Sequence, residues 1–215
     1  MESNHDPVSV NALTETTRMK STLATLFTGA ALALSLTGCA LSPQQIEVKP
    51  TAEVQPANRG NNQPVQVIAV DSRDSKAFGS RGGVYKDTSL VQPANDLRPA
   101  IAETVRQGLQ TLGYNAFNPG DEATTLEVRL EKLEYIPEEG SVVNEVTLNL
   151  ELVAEARRGD TTHVGTYKSS VEHDLPFTPS AARNQEMVND ILSRSIERML
   201  NDPEMQAFLA GNDNP

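Results

Sequence analysis

His163 and His173 stand at even spacing on an alternating stretch, so they would share one face of a strand and invite a metal ion. Ten residues of extended chain at about 3.3 Å each part them by roughly 33 Å, too far for one ligand sphere. They read instead as surface histidines on a solvated face. Glu131/Glu134 and Glu138-Glu139 are paired acids of the type glycosidases use, but no aromatic platform for a sugar accompanies them. Gly79-Ser80-Arg81-Gly82-Gly83 has glycines without the Lys-Ser/Thr of a phosphate loop and without the strand-turn-helix setting of a hydrolase elbow, and it reads as a mobile loop. Asp71-Ser72-Arg73-Asp74 ends a β-branched run, where a rigid strand presents loop groups to a partner. Two readings of it stand open: a partner contact through Asp71, Arg73 and Asp74, or a local cap in which Arg73 pairs with one of the aspartates. Cys39 is the lone thiol, so neither an internal disulfide nor a thiolate-rich metal site is available. No catalytic residue, metal site or cofactor is expected.

With 18 Lys plus Arg against 29 Asp plus Glu, a net charge of -11 argues against nucleic acid as a partner. The 215 residues, 38% apolar and without Trp, suit one domain with an aliphatic core.

Cys39 closes the box Leu36-Thr37-Gly38-Cys39 behind Met19-Lys20 and a run from Ser21 to Gly38 that carries no charge. Positive start, apolar middle and small residues before a cut are the order of a secretory signal. The stretch resembles the leader of bacterial lipoprotein precursors, which is cleaved ahead of the cysteine once its thiol carries diacylglycerol. That resemblance implies a signal peptide over residues 19–38, lipidation at Cys39 and a membrane anchor of two or more acyl chains. A spanning helix would need about 20 predominantly apolar residues, more than this run supplies. Glu2, Asp6 and Glu15 make residues 1–18 acidic where a leader begins basic, so Met19 is the expected start and 1–18 an extension ahead of it. Ala40, rather than Asp, follows the cysteine, which in the lipoprotein sorting pattern implies the outer membrane.

Residues 39–64 hold four prolines with many Gln and Asn and read as a flexible tether, although Ile46-Glu47-Val48 could pair as a short edge strand. The domain then runs over 65–210, with a polar tail at 211–215. Val65–Val70 reads as a strand, and a second follows around Thr88–Val91. Leu97, Ile101, Val105, Leu109 and Leu112 form a helical stripe capped by Asn95 or Asp96 and stopped at Gly113. Leu126, Val128 and Leu130 alternate with charged residues before the phase slips to Leu133 and Tyr135, the mark of a bulge or a change of partner strand. Val146 to Ala154 keeps a clean period of two, and Arg157-Arg158-Gly159-Asp160 turns it back into Thr161–Glu172. Ser180 caps a second helix carrying Val188, Ile191, Leu192, Ser195, Ile196 and Met199. The fold class is α+β: a single mixed or antiparallel sheet with two main helices on one face.

The box, Ile46-Glu47-Val48 with Pro50, the strand ending at Asp71, the helix entry Asp96-Leu97-Arg98 and the exit Leu112-Gly113-Tyr114 together resemble the YajG family of uncharacterised Gram-negative lipoproteins, over Met19 to Leu209. The residues before Met19 depart from that family's short leaders. The resemblance implies an outer-membrane lipoprotein with a periplasmic α+β domain and brings no activity with it. The expected role is a non-enzymatic binding or scaffold module, anchored in the membrane by its lipid, with an envelope protein or the cell wall as partner. The alternative is an accessory of envelope lipid or glycolipid transport, which would need an apolar groove between helices and sheet at residues such as Leu109 and Ile196.

Overall fold

Val146, Leu148, Leu150, Leu152, Ala154 and Ala156 are each 2% exposed or less, while the residues between them face water. That alternation sets an interior strand of the sheet and decides which of its faces is covered. The computed structural model describes residues 42–84, 86–139 and 144–212. The segment 1–41, with Leu36, Thr37, Gly38 and Cys39, lies outside them. The strands are β1 (Gln44–Ile46), β2 (Val65–Asp71), β3 (Gly79–Ser80), β4 (Leu90–Pro93), β5 (Thr124–Glu139), β6 (Asn144–Arg158) and β7 (Thr161–Leu175). The helices are α1 (Leu97–Thr111), α2 (Ala181–Leu200) and α3 (Pro203–Leu209). The seven strands among the described residues form one mixed sheet in the order β1-β4-β3-β5-β6-β7, with β2 parallel to the first half of β5.

The phase slip in β5 has both of its expected causes. Glu131 is an extra residue between Leu130 and Lys132 in the ladder with β6, and on its other edge β5 leaves β2 at Leu130 and meets β3 at Tyr135. The turn into β7 takes two residues, with Gly159 at φ +57°, as a hairpin with glycine first requires. Helix α1 begins at Asp96, whose carboxylate accepts from the Arg98 N–H, and stops at Gly113 with φ +88°. Helix α2 is capped by Ser180 as its sequence predicts. The predicted apolar stripes of both helices are buried; Ser195 fits there because its hydroxyl meets that of Ser169 at 2.9 Å. The helices interlock where a side chain on Gly108 would strike Leu200. Leu109 and Ile196 are 1% and 0% exposed, so the space between helices and sheet is filled at the place where a lipid groove was anticipated.

The segment read as a tether is instead packed from Gln44 onward. Ile46, Val48 and Pro50 turn into the core while Glu47, Lys49, Thr51 and Glu53 face outward. The N–H groups of these four outward residues donate to side chains of α2: Gln185 Oε1 at 2.9 Å, Asn189 Oδ1 at 2.8 Å, Ser193 Oγ at 2.9 Å and Glu197 Oε1 at 2.8 Å. Two residues of extended chain advance about 6.6 Å and four residues of helix about 6.0 Å, so the two periods nearly match over several rungs. Pro50 sits between donors, where its missing N–H costs nothing, and its carbonyl accepts from Thr104 Oγ1 at 2.9 Å. Asn95 holds the other edge through Val48, donating to its carbonyl at 2.9 Å and accepting from its N–H at 2.8 Å. Further on, Arg59 and Gly60 donate to the Leu112 carbonyl at the exit of α1. We call residues 44–64 the strap.

Candidate functional site

β2 ends at Asp71, level with Leu130 and just before the bulge, so the chain must cross a gap to reach β3. Arg73 organises that crossing. Its Nε and Nη2 donate to the two carboxylate oxygens of Asp71 at 2.8 and 2.9 Å, and its guanidinium carbon stands 4.9 Å from the centre of the Phe78 ring. The side chain is 5% exposed. The local pair between Arg73 and Asp71 anticipated from the sequence is present. The glycine-rich piece is not a loose loop throughout: Gly79 and Ser80 form β3, and a Cβ on Gly79 would fall on the Tyr135 carbonyl. Only glycine allows that approach.

Arg73 is the shared wall of two open clefts. One, of about 670 Å³, lies toward the bare face of the sheet between Asp74, Phe78, Glu131, Glu134 and Val153. The other, of about 580 Å³, is bounded by Asp71, Lys76, Asn95, Asp96 and Arg98 at the entry of α1. There the Asp-x-Arg arrangement recurs, with Arg98 Nη2 at 2.6 Å from Asp96, and these bonds hold the Asp96 carboxyl below its ordinary range. The arrangement offers paired charges to a polar ligand. It sets no nucleophile beside a base.

The other sequence candidates are scattered. Glu131 pairs with Arg129 at 3.2 Å, and Glu134 with Lys132 at 3.0 Å. Arg129 also binds Glu127 and Glu155, while Arg157 holds Glu155 at 2.6 Å, and Arg157 first and Arg129 second push the Glu155 carboxyl down. Exposed pairs of this kind hold little stability individually. His163 and His173 share a face, but it is the covered one, opposite Ala156 and Val146. His163 stacks on Phe208 of α3 with ring centres 5.8 Å apart. Burial, then the charge of Arg183, pushes the His173 pKa down.

The profile of a lipoprotein family matches residues 50–210, from the strap to the end of α3, and so spans both clefts. The chain belongs to this family, the uncharacterized lipoproteins of Lipoprotein_16. No curated relative matches the lipoprotein in sequence. Among solved structures it is similar to rare lipoprotein B from Shewanella oneidensis, at 12% identity and a TM-score of 0.41 over 69% of this chain and 99% of that one. A candidate homologue of neuraminyllactose-binding hemagglutinin from Helicobacter pylori matches at 7% identity and 0.44, covering 75% and 96%. A candidate lipoprotein from Caulobacter crescentus matches at 16% identity and 0.38, covering 54% and 84%. No described helix of the lipoprotein is long and apolar enough to cross a membrane.

Sequence reasoning missed one cluster. Glu145, Glu172 and Asp174 bring carboxylate oxygens within 4.8 Å of one another on the bare face. The two-residue turn at Gly159-Asp160 fixes this register, since counting back from it sets Glu145 opposite Asp174. Desolvation first, then the Glu172 charge, raises the Glu145 pKa. A carboxyl whose folded pKa is raised weakens the fold as pH climbs from its unfolded value through its folded one. Glu145→Gln should therefore raise the melting temperature at neutral pH and lose that advantage on acidification. Paired thermal melts at neutral and mildly acidic pH check the sign.

Proposed function

We propose that this lipoprotein is acylated at Cys39, sits in the outer membrane facing the periplasm, and works as a non-enzymatic binding or scaffold module for an envelope protein or the cell wall. The observation that carries this reading is the coincidence of a lipoprotein family with the box Leu36-Thr37-Gly38-Cys39 directly ahead of the domain. The outer-membrane address rests on Ala40 after the cysteine. The surface offered to the partner is the pair of clefts on either side of Arg73, with Asp71 and Asp74 at their rims. Arg73 is held by Asp71 and Phe78, which suits a rigid contact surface better than a group that must move a proton.

Cys39→Ser tests the anchor. The variant should lose its acyl mass and either enter the soluble periplasmic fraction or accumulate as uncleaved precursor. Fractionation identical to that of the parent would refute the anchor. Separation of inner and outer membranes by density reads the address, and crosslinking in intact envelopes followed by copurification reads the partner.

A further inference from the structure

The register aligns Gln44, Val91, Gly79, Tyr135, Leu148 and Val171 in one row across six strands. Beyond that row, on the side from which the chain enters β1, lie the β3–β4 connection and the loop from β7 to α2. Six large apolar side chains are exposed among the described residues, and the two most exposed occur in these connections: Val84 at 93% and Phe177 at 80%. Scattered exposed hydrophobics need no explanation; two extremes at one end of the molecule do. Phe177 lies in a loop whose backbone Pro176 and Pro179 restrict. Gln44 ties the base of this loop to the first strand. Its Nε2 donates to the Pro179 carbonyl at 3.4 Å, and its Oε1 accepts from Asn184 Nδ2 at 2.6 Å.

The chain outside the described domain says what faces this end. Cys39 precedes Gln44 by five residues, and at most about 3.6 Å per residue keeps it within about 18 Å of that strand. A lipid on Cys39 therefore brings the entry end of the sheet to the headgroups. We propose that this end docks on the bilayer that holds the protein's own acyl chains, with Phe177 and Val84 inserted into the interface. The proposal rests on acylation of Cys39. Insertion is apolar rather than electrostatic, because Glu138, Glu145, Glu172 and Asp174 gather near the same end and oppose an anionic surface. The fitting surface is zwitterionic. β1 and the strap are fixed to β4 and α2, so docking needs no rearrangement within the domain.

The protein has no Trp, so Phe177→Trp and Val84→Trp each introduce a single reporter at an exposed site. Val164→Trp, at a residue 54% exposed beside the far turn, is the control. The acylated, full-length mature protein is reconstituted in phosphatidylethanolamine and phosphatidylcholine vesicles whose acyl chains are brominated, and its mass is measured. Both end reporters should shift to shorter wavelength and lose emission to the bromines, while Val164→Trp stays quenched no more than in plain vesicles. An acylated protein in which either end reporter matches the control overturns the docking and leaves the anchor standing. A bare Cys39 thiol on the purified protein overturns the anchor and the docking with it.

Discussion

Ile46→Asp should release the strap and destabilise the protein by about 3 to 6 kcal/mol. The estimate follows from burial. Ile46 and Val48 are each 1% exposed, and full burial of an aliphatic side chain stabilises by about 1.5–3 kcal/mol. A carboxylate at Ile46 cannot stay in the core without a partner, so the segment peels away and both contributions go together. The loss stops at this first part of the strap, because Val54 and Gly60 keep their own packing against the core. Two measurements distinguish peeling from general damage. Proteolysis should open within residues 44–64 while the rest survives, and the urea m-value should fall because less surface remains to expose. Ile46→Val should cost only about 0.5–1.5 kcal/mol with the m-value unchanged. If Ile46→Asp leaves the strap as protected as before, the packing described for it is wrong.

Tyr114→Ala is the second large effect, at about 3–5 kcal/mol by the scale of buried aromatic truncations. Tyr114 is 2% exposed, directly after the left-handed Gly113 that ends α1. Gly60 of the strap lies against its ring so closely that a Cβ there would overlap it. Its hydroxyl donates to the Gln206 carbonyl at 3.1 Å, linking the helix exit to α3. Tyr114→Phe removes only that bond and should cost about 0.5–1.5 kcal/mol, since the carbonyl still accepts from the Ala210 N–H. Burial raises the Tyr114 pKa, and it raises that of Tyr135 to about 12. For such groups the stabilising contribution is complete below the unfolded value, about 10, and is lost as pH rises toward the folded one. Alkaline unfolding should therefore begin above that unfolded value and be shallower in Tyr114→Phe. Urea titrations at neutral and alkaline pH measure both quantities.

These cases show how far the sequence reaches. The alternation of Val146 to Ala154 and the stripes of α1 and α2 were legible because each element buries one face, and burial imposes a period. The slip at Glu131 was legible because a bulge leaves a phase error in that period. Of the strap only a short edge strand near Ile46 was legible, observed as β1 at Gln44–Ile46, because the rest has the proline and amide content of a solvated chain. Its partners are polar side chains at every fourth position of α2, Gln185, Asn189, Ser193 and Glu197, which in isolation form an ordinary wet face. Only their match to the outward residues of an extended segment gives them meaning. The placement of the histidines failed for a related reason. Even spacing establishes a shared face but not which one, and in β7 small and polar residues such as Gly165 and Ser169 stand on the covered side. At the candidate site the sequence supplied Asp71, Arg73 and Asp74, while the clefts required loops distant in sequence, including the entry of α1.

The rungs between the strap and α2 also have a mechanical meaning. Tension on the chain ahead of Gln44, directed along β1, would run parallel to the helix and across the N–H bonds to Gln185, Asn189, Ser193 and Glu197. Bonds loaded sideways in this manner share a force and yield together, whereas a pull away from the helix would open them one after another. The segment that enters the domain thus acts as a shear joint, and the resistance it offers depends on the direction of the load.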